Sequence, residues 1–260
     1  MDGLLVTLGD SWVKGVGVNY KEGVSKEEYR ACKSIEEEIR PYAFRTLLAE
    51  RNNLELVNFS VGGSSNAKQF RLATEFFSSK EFEEYQNKYS TIIVLWGITS
   101  TARVELYDVQ TELWENILYR PRNSRKADPQ YEIIRQTMRE RFYDHEAEVS
   151  VLSHQMKHWN EFFKSKGVKN LWFDILNHHE YEFDFDNICL EYPRDLLSQI
   201  TKYKQKDKFH FSVWNLDCYR VKKGVAFKTL NPYSYHPTIE GHEKIFDLLD
   251  PCVKDLLPRN

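Results

Sequence analysis

Four short segments of the chain are predominantly apolar and lack a regular alternation of polar and apolar residues. They are Leu4–Leu8, Leu54–Phe59, Thr91–Trp96 and Leu171–Leu176. A strand with one solvated face alternates apolar and polar side chains, whereas a strand that is buried on both faces reads as a nearly continuous apolar run. The four segments therefore predict buried strands of a mostly parallel sheet that is covered by helices on both sides.

The segments between these strands carry apolar residues at the spacing of helices. One apolar face lies within Pro41–Asn52, where Pro41 suits a first helical turn, and it consists of Ala43, Phe44, Leu47 and Leu48. Another consists of Val151, Leu152, Met156, Trp159 and Phe163. Because strands and helices alternate along the chain, the pattern predicts a doubly wound α/β fold.

Two stretches interrupt this alternation. Residues 103–136 hold the charged, turn-rich sequence YRPRNSRKADP, and residues 180–232 have no clear period apart from a candidate strand at Phe209–Trp214. The first stretch contains four basic residues, Arg120, Arg122, Arg125 and Lys126. They fit a solvated loop better than a contact with an anionic partner. We therefore predict a single domain over residues 1–260, with irregular insertions at about 103–136 and 180–232.

Composition restricts the class of protein. A net charge of −3 provides no basic surface for nucleic acid, and 41% hydrophobic with 14% aromatic residues excludes a disordered chain. The apolar runs are far shorter than the ~18 residues of a membrane span, and the first residues do not read as a secretory signal, so we expect a cytoplasmic protein. The four cysteines lie far apart and predict reduced thiols. None of these properties indicates an oligomeric state.

Polar and glycine-rich clusters follow the first three predicted strands, at the sheet edge where open α/β folds bind ligands. They are Gly9-Asp10-Ser11-Trp12, the run from Asn58 to Asn66 (NFSVGGSSN) and the run from Gly97 to Arg103 (GITSTAR). A further cluster from His236 to His242 (HPTIEGH) opens a C-terminal amphipathic helix. We expect all of these clusters to meet at one edge of the sheet.

In this order the clusters resemble the motifs of the SGNH (GDSL) hydrolase superfamily. The resemblance implies a three-layer α/β/α sandwich of flavodoxin-like topology and an ester hydrolase without a metal or organic cofactor. It also implies that Ser11 is the nucleophile and His236 the base, because a serine hydroxyl needs a neighbouring base to become reactive at neutral pH. Without the family, Ser11 reads as a helix N-cap and His236 as a capping residue before Pro237.

The resemblance further implies donors for the oxyanion of an acyl-transfer intermediate. These are the backbone amides of Ser11 and Gly63 and an Asn side chain after the third strand. This chain has Thr99 at the Asn position, and a threonine hydroxyl donates one hydrogen bond from a shorter side chain. Alternative side-chain donors are therefore Ser100, Arg103 and Asn66.

Asn66 and Arg103 are also our candidates for substrate contact. A guanidinium binds an anionic substrate or an oxyanion well. The competing expectation for Arg103 is a salt bridge to Glu105 or another neighbouring acid.

The acid that commonly orients the histidine in this superfamily is missing from its usual place. Tyr233 stands three residues before His236, where the family has Asp. Three alternatives remain open: a Ser-His dyad, a backbone carbonyl against the imidazole, or an acid from elsewhere such as Asp174 or Asp217.

Other histidines carry weaker signals. His154 and His158 are spaced to ligate one metal, but they lack the glutamate of an HExxH arrangement, so we expect no metal site. His178 and His179 follow the fourth strand and fit a polar turn better than a substrate contact.

The sequence therefore predicts a hydrolase for a small-molecule or carbohydrate ester, with short acyl chains and carbohydrate O-acetyl groups both open as substrates. Two rival readings are a non-catalytic carbohydrate- or protein-binding module with this fold, and an acyltransferase that uses the same pair, Ser11 and His236.

Overall fold

The structure is a computed structural model of the chain and describes residues 3–31, 35–109, 112–118, 129–190, 194–202 and 227–258. The strands are β1 (Gly3–Leu8), β2 (Leu54–Asn58), β3 (Thr91–Ile98), β4 (Arg103–Asp108), β5 (Leu113–Leu118) and β6 (Lys169–Asp174). Four of them form a parallel sheet in the order β2-β1-β3-β6, with β1 paired to both β2 and β3. The predicted strands and their parallel arrangement are confirmed.

Helices precede or follow most of the strands. They are α1 (Ser11–Lys14), α2 (Lys26–Ala31), α3 (Glu36–Ile39), α4 (Phe44–Arg51), α5 (Asn66–Phe77), α6 (Lys80–Lys88), α7 (Pro129–Arg141), α8 (His145–Ser165), α9 (Leu196–Thr201) and α10 (Ile239–Asp255). A single 3₁₀ turn at Arg40–Tyr42 contains Pro41 and leads into α4, so the helix predicted from Pro41 begins three residues later. Proline fits such a first turn because it needs no helical N–H partner there.

Two apolar clusters cover the two faces of the sheet and make the molecule three layers thick. Successive strand residues point to opposite faces, so Leu5 belongs to one cluster and its neighbours Leu4 and Val6 to the other. The first cluster includes residues of α1, α4, α9 and α10, and the second includes residues of α5, α6 and α8. Burial on both faces is the reason that these strands contain so few polar residues. The α/β sandwich with a mostly parallel central sheet is thus confirmed.

The two predicted insertions are partly regular. Within 103–136, β4 and β5 form an antiparallel hairpin and α7 begins at Pro129, so the expectation of an irregular stretch is wrong for these residues. Within 180–232, a parallel bridge joins Ile188 to Trp172 of β6, and α9 follows. The predicted strand at Phe209–Trp214 and the four basic residues between 120 and 126 lie outside the described residues.

The order of the strands also creates a crevice. The chain moves from β1 to β2 on one side and then to β3 on the other side of β1, so connections leave β1 and β3 in opposite directions. Such a topological switch point leaves a cleft at the carboxyl ends of the two strands. Asp10 and Ser11 follow β1, and Thr99 follows β3, so all three lie at this cleft.

Candidate active site

The turn between β1 and α1 holds Ser11 at the first position of a short helix. Asp10 caps this helix: its Oδ1 accepts a hydrogen bond from the amide of Trp12 at 2.9 Å. Gly9 has a φ of +148°, and a side chain there would meet Val13, so a glycine is needed to enter the turn. The position of Ser11 is therefore set by the backbone of this turn.

The segment before α10 carries His236 to the same place. The side-chain oxygen of Asn231 accepts a hydrogen bond from the amide of Tyr233 at 2.7 Å, and the amide of Asn231 donates to the carbonyl of His236 at 2.9 Å. Thr238 then caps α10. These contacts bring Nε2 of His236 to 2.8 Å from Oγ of Ser11, although the two residues are 225 positions apart in sequence.

Gly17 lets the loop after α1 approach the histidine segment closely. Its φ is +111°, and a Cβ built on it would lie 2.4 Å from the carbonyl oxygen of Pro237 and 2.8 Å from Cβ of His236. A larger residue would push these two segments apart. The distance between Ser11 and His236 therefore depends on the absence of a side chain at Gly17.

The electrostatic environment keeps His236 neutral at pH 7. Burial of the ring lowers its pKa to about 4; the Asp10 carboxylate raises the pKa and the Arg103 guanidinium lowers it again, and burial dominates. A neutral imidazole can accept a proton through Nε2, the atom that contacts Ser11. Within the described part of the chain, the buried Nδ1 of the same ring has no hydrogen-bond partner.

The residues that could orient the imidazole are placed elsewhere. The hydroxyl of Tyr233 donates to the carbonyl of Val24 at 2.7 Å, away from the histidine ring. Asp174 accepts hydrogen bonds from the amide of His179 and from the hydroxyl of Tyr181. Asp217 lies outside the described residues. Among the candidates that the structure describes, no carboxylate contacts the ring of His236.

The glycine-rich loop after β2 faces the turn that holds Ser11. A Cβ built on Gly62 would lie 4.0 Å from Cβ of Ser11, and Gly63 follows it with a φ of +73°. In the described residues the amide of Gly63 donates no hydrogen bond. The amide of Ser11 is also unused within α1, because the first N–H groups of a helix have no intrahelical acceptor. Both amides are therefore available to a ligand beside the Ser11 hydroxyl.

Thr99 and Asn66 hold each other rather than a ligand. The side chain of Asn66 donates to the carbonyl of Thr99 and accepts from its amide, both at 3.0 Å. The hydroxyl of Thr99 donates to Oδ2 of Asp10 at 2.9 Å. A hydroxyl has a single proton to donate, so this contact leaves none for an oxyanion. The geometry therefore does not support the expected roles of Thr99 at the oxyanion and of Asn66 in substrate contact.

Arg103 lies at the start of β4 and reaches back into the cleft. Its Nη1 donates to Oδ2 of Asp10 at 3.0 Å, to the hydroxyl of Thr99 at 3.1 Å and to the carbonyl of Ser64 at 3.3 Å. The carboxylate of Asp10 is fully buried, and the Arg103 side chain is 20% exposed, so the pair is only weakly screened by solvent. Arg103 therefore forms a salt bridge, the alternative to substrate contact in the sequence analysis, and its partner is Asp10.

Two polar residues that the sequence analysis did not single out, Gln69 and Arg71, form hydrogen bonds with the segments that carry this network. Oε1 of Gln69 accepts from the amide of Gly9 at 2.9 Å, and Nε2 donates to the hydroxyl of Ser64 at 2.7 Å. Glu105 on β4 receives two hydrogen bonds from Arg71 on α5, both at 3.0 Å. The sequence could have indicated Gln69 as a site residue, because it is a polar residue on the face of α5 that buries Phe70, Ala73 and Phe77.

His179 and His154 make their contacts with groups outside the Ser11 site. His179 is buried against Asp174, with Nδ1 at 2.8 Å from the carboxylate, and it stacks on His145. Nδ1 of His154 lies 2.9 Å from the carbonyl of Ser150 on the solvent side of α8. In the part of the chain that the structure describes, no group of three or more His, Cys, Asp or Glu side chains is arranged to hold a metal ion. The helices of that part include none long and apolar enough to cross a membrane.

Comparisons with known proteins give similarity in structure alone. No family model matches the sequence, and no curated protein matches it. Among solved structures, the chain is similar to an acetyl xylan esterase (Est2A) from the rumen bacterium Butyrivibrio proteoclasticus, with 11% identity and a TM-score of 0.43 over 96% of this chain and 63% of that one. The chain thus spans less than two thirds of the length of that esterase.

Two other solved structures match along almost their whole length. A psychrotrophic esterase, EstA, from Pseudoalteromonas sp. has 12% identity and a TM-score of 0.39, over 98% of both chains. A lipase, Lip_vut3, from a goat rumen metagenome has 14% identity and a TM-score of 0.40, over 96% of this chain and 97% of that one.

Proposed function

We propose that the protein hydrolyses a carboxylic ester by an SGNH-type mechanism, with Ser11 as the nucleophile and His236 as the general base. The observation that carries this proposal is the 2.8 Å contact between Oγ of Ser11 and Nε2 of His236 at the switch point of the sheet. A serine within hydrogen-bond reach of a neutral histidine is the pairing that acyl transfer requires.

In the first half of the reaction, Oγ of Ser11 attacks the ester carbonyl carbon while Nε2 of His236 takes the hydroxyl proton. The tetrahedral intermediate carries its negative charge on the former carbonyl oxygen, and the free amides of Ser11 and Gly63 are the donors that receive it. The imidazolium then gives its proton to the leaving alcohol, and an acyl-enzyme remains. Water, deprotonated by His236, attacks the acyl-enzyme; the bond between the acyl carbon and Oγ of Ser11 breaks, the imidazolium returns the proton to Oγ, and the acid is released.

The environment of His236 sets the expected turnover. The imidazolium that forms during each half-reaction is stabilised by the Asp10 carboxylate and destabilised by burial and by Arg103. In the described residues Nδ1 lacks a partner that would fix the tautomer. Replacing the orienting acid of a triad with an amide, which enforces the wrong tautomer, lowers kcat by ~10⁴, so we expect modest turnover on activated esters. The substrate is a small-molecule or carbohydrate ester, with short acyl chains and O-acetyl groups as its two classes.

The decisive experiment compares the wild-type chain with Ser11→Ala and with Ser78→Ala, an exposed serine on α5's C-terminal side, as the matched control. Hydrolysis of p-nitrophenyl acetate and labelling by a fluorophosphonate are measured on all three. We expect Ser11→Ala to fall to the uncatalysed rate and to lose the label at the peptide that contains residue 11. Equal rates in wild type and Ser11→Ala, with both folded by circular dichroism, would exclude ester hydrolysis through Ser11.

A second candidate function is a binding module that has this fold and no turnover. It is favoured by the commitment of the Thr99 hydroxyl to Asp10, which removes the side-chain donor of the oxyanion site. In that case neither wild type nor Ser11→Ala hydrolyses the ester or takes the label. Titration calorimetry with acetylated and unmodified oligosaccharides then measures binding directly.

A further inference from the structure

Two half-buried cysteines from distant parts of the chain meet at the far edge of the sheet. Cys189 follows Ile188, which bridges to Trp172 of β6, and its amide donates to the carbonyl of Trp172 at 2.9 Å. Cys252 lies near the end of α10, and its sulfur is 3.2 Å from the carbonyl oxygen of Cys189. The two thiols are thus held together by β6 on one side and by the C-terminal helix on the other.

The contact makes the two sulfurs chemically unequal. The neighbouring Cys189 thiol lowers the pKa of Cys252 to about 7, against the opposing effects of burial and of Asp255. The same contact, together with burial, raises the pKa of Cys189 well above its ordinary value. The thiolate of Cys252 is therefore favoured relative to that of an ordinary cysteine, which is a few per cent thiolate at neutral pH.

Both cysteines are partly buried beside a groove that opens to solvent. Cys189 and Cys252 line an open groove of about 990 Å³ that runs between α8, the segment 182–189 and the end of α10. The groove is lined by charged side chains of both signs, with Lys157, Lys164 and Lys169 against Glu161, Glu182, Asp184, Asp186 and Asp255. A partly exposed cysteine with a lowered pKa is the type that oxidants attack.

From the 3.2 Å contact between the Cys252 sulfur and the Cys189 carbonyl oxygen, and from the open groove beside both residues, we propose that Cys189 and Cys252 form a reversible redox modification site that closes to a disulfide on exposure to a peroxide. Ester hydrolysis does not involve either thiol. Cys252 lies thirteen residues after Ile239, the first residue of α10, and therefore about 20 Å along the helix from the end that adjoins His236.

The chemistry needs hydrogen peroxide as the oxidant and balances in two steps. The Cys252 thiolate attacks one peroxide oxygen, the O–O bond breaks, and one water leaves after protonation, which yields a sulfenic acid. The Cys189 sulfur then attacks the sulfenic sulfur, the S–O bond breaks, and the hydroxyl leaves as a second water with the Cys189 proton. Overall, two thiols lose two electrons, and one peroxide becomes two waters.

The first test maps thiols in the full wild-type chain. The protein is exposed to a few equivalents of hydrogen peroxide, alkylated with N-ethylmaleimide under denaturing conditions, digested and analysed by mass spectrometry with and without dithiothreitol. We expect a cross-linked peptide pair containing Cys189 and Cys252 that dithiothreitol separates. Full alkylation of both residues after peroxide, or oxidation of Cys252 to a sulfinic acid without the cross-link, overturns the proposal. The mapping also distinguishes this pair from any that includes Cys32 or Cys218.

The second test measures how fast iodoacetamide alkylates Cys252 as a function of pH, in wild type and in Cys189→Ala. We expect the alkylation rate of Cys252 to have its midpoint near pH 7 in wild type, and the midpoint to move toward the ordinary value of about 8.5 when the Cys189 thiol is removed. Cys252→Ser is the matched control and should leave Cys189 unoxidised by the same peroxide treatment. A wild-type midpoint of about 8.5 that Cys189→Ala does not change would contradict the contact on which the proposal rests. Thermal melts of both variants check that they are folded.

Discussion

The acid limb of the pH-rate profile should lie far below neutral pH, because burial lowers the pKa of His236 to about 4. Only the neutral imidazole can take the proton of Ser11, so kcat/KM follows the neutral fraction of the free enzyme. At pH 5 about nine tenths of a group with a pKa near 4 is neutral, against about 3% of an ordinary histidine with a pKa of about 6.5. We expect kcat/KM at pH 5 to stay within about 10% of its value at pH 7, whereas an ordinary histidine would lose about 25-fold.

The assay uses initial rates of p-nitrophenyl acetate hydrolysis from pH 3.5 to 8 at constant ionic strength. Release is read at the wavelength where the phenol and the phenolate absorb equally, and the rate with Ser11→Ala is subtracted at each pH. Tryptophan fluorescence and circular dichroism at the same pH values establish that the chain is folded. This control matters because burial also lowers the pKa of His242, to about 3, so the folded state loses stability as the pH falls.

A half-maximal rate near pH 6.5 in a folded protein would refute the reasoning. It would mean that the ring of His236 is hydrated, or paired with an acid, in the active state. A profile that stays flat to pH 5 and falls near pH 4 would support a buried, neutral base that acts without a paired carboxylate.

Three substitutions test other parts of the site. Gly17→Ala should lower kcat/KM by about 10-fold to 100-fold in steady-state assays, because its Cβ would displace His236; an unchanged value would contradict the close approach. Arg103→Met should lower the free energy of unfolding, measured with urea, by about 2–3 kcal/mol, because it leaves the buried Asp10 carboxylate without its cation. It should also move the acid limb of the pH-rate profile to higher pH. A loss below about 0.5 kcal/mol, as for a neutral surface substitution, would argue against the ion pair. The pKa of His242 in the folded state lies below its value in the unfolded chain, so the free energy of unfolding falls as the pH drops below about 6.5. Between pH 7 and pH 5, the free energy of unfolding of His242→Asn should therefore fall by about 2 kcal/mol less than that of wild type. Equal losses would contradict a buried neutral ring.

The sheet could be predicted from the sequence because burial on both faces leaves a strong local signal. Each of the four predicted strands agrees with the structure to within two residues at either end. The hairpin of β4 and β5 leaves no such signal. Its buried position on β4 is Glu105, which pairs with Arg71, while Tyr107 and Trp114 are about half exposed. Glu105 and Tyr107 are two residues apart and share one face of β4, so a buried charge and an exposed aromatic ring stand where one apolar face is usual, and alternation does not mark these strands.

The candidate site was likewise predicted only in part from the sequence. The order of the motifs was enough to predict that Ser11 and His236 would be neighbours, since both lie at one edge of the sheet. The network around Asp10 could not be predicted, because its partners Thr99 and Arg103 are 89 and 93 residues away and their geometry depends on three separate loops. The orientation of the imidazole shows a second limit: Tyr233 stands where the resemblance implies an acid, its hydroxyl bonds to the carbonyl of Val24, and the sequence left open what replaces that acid.

The central place of β1 in the sheet has a consequence for the order in which the chain acquires function during translation. β1 can pair with β2 and β3 once about 100 residues have left the ribosome, and the serine is then already seated at the end of its strand. The histidine emerges more than 130 residues later. A nascent chain that is stalled between these points would carry the pairing of β1 with β2 and β3 but would lack His236, so the proposed reactivity of Ser11 can arise only after the histidine has emerged.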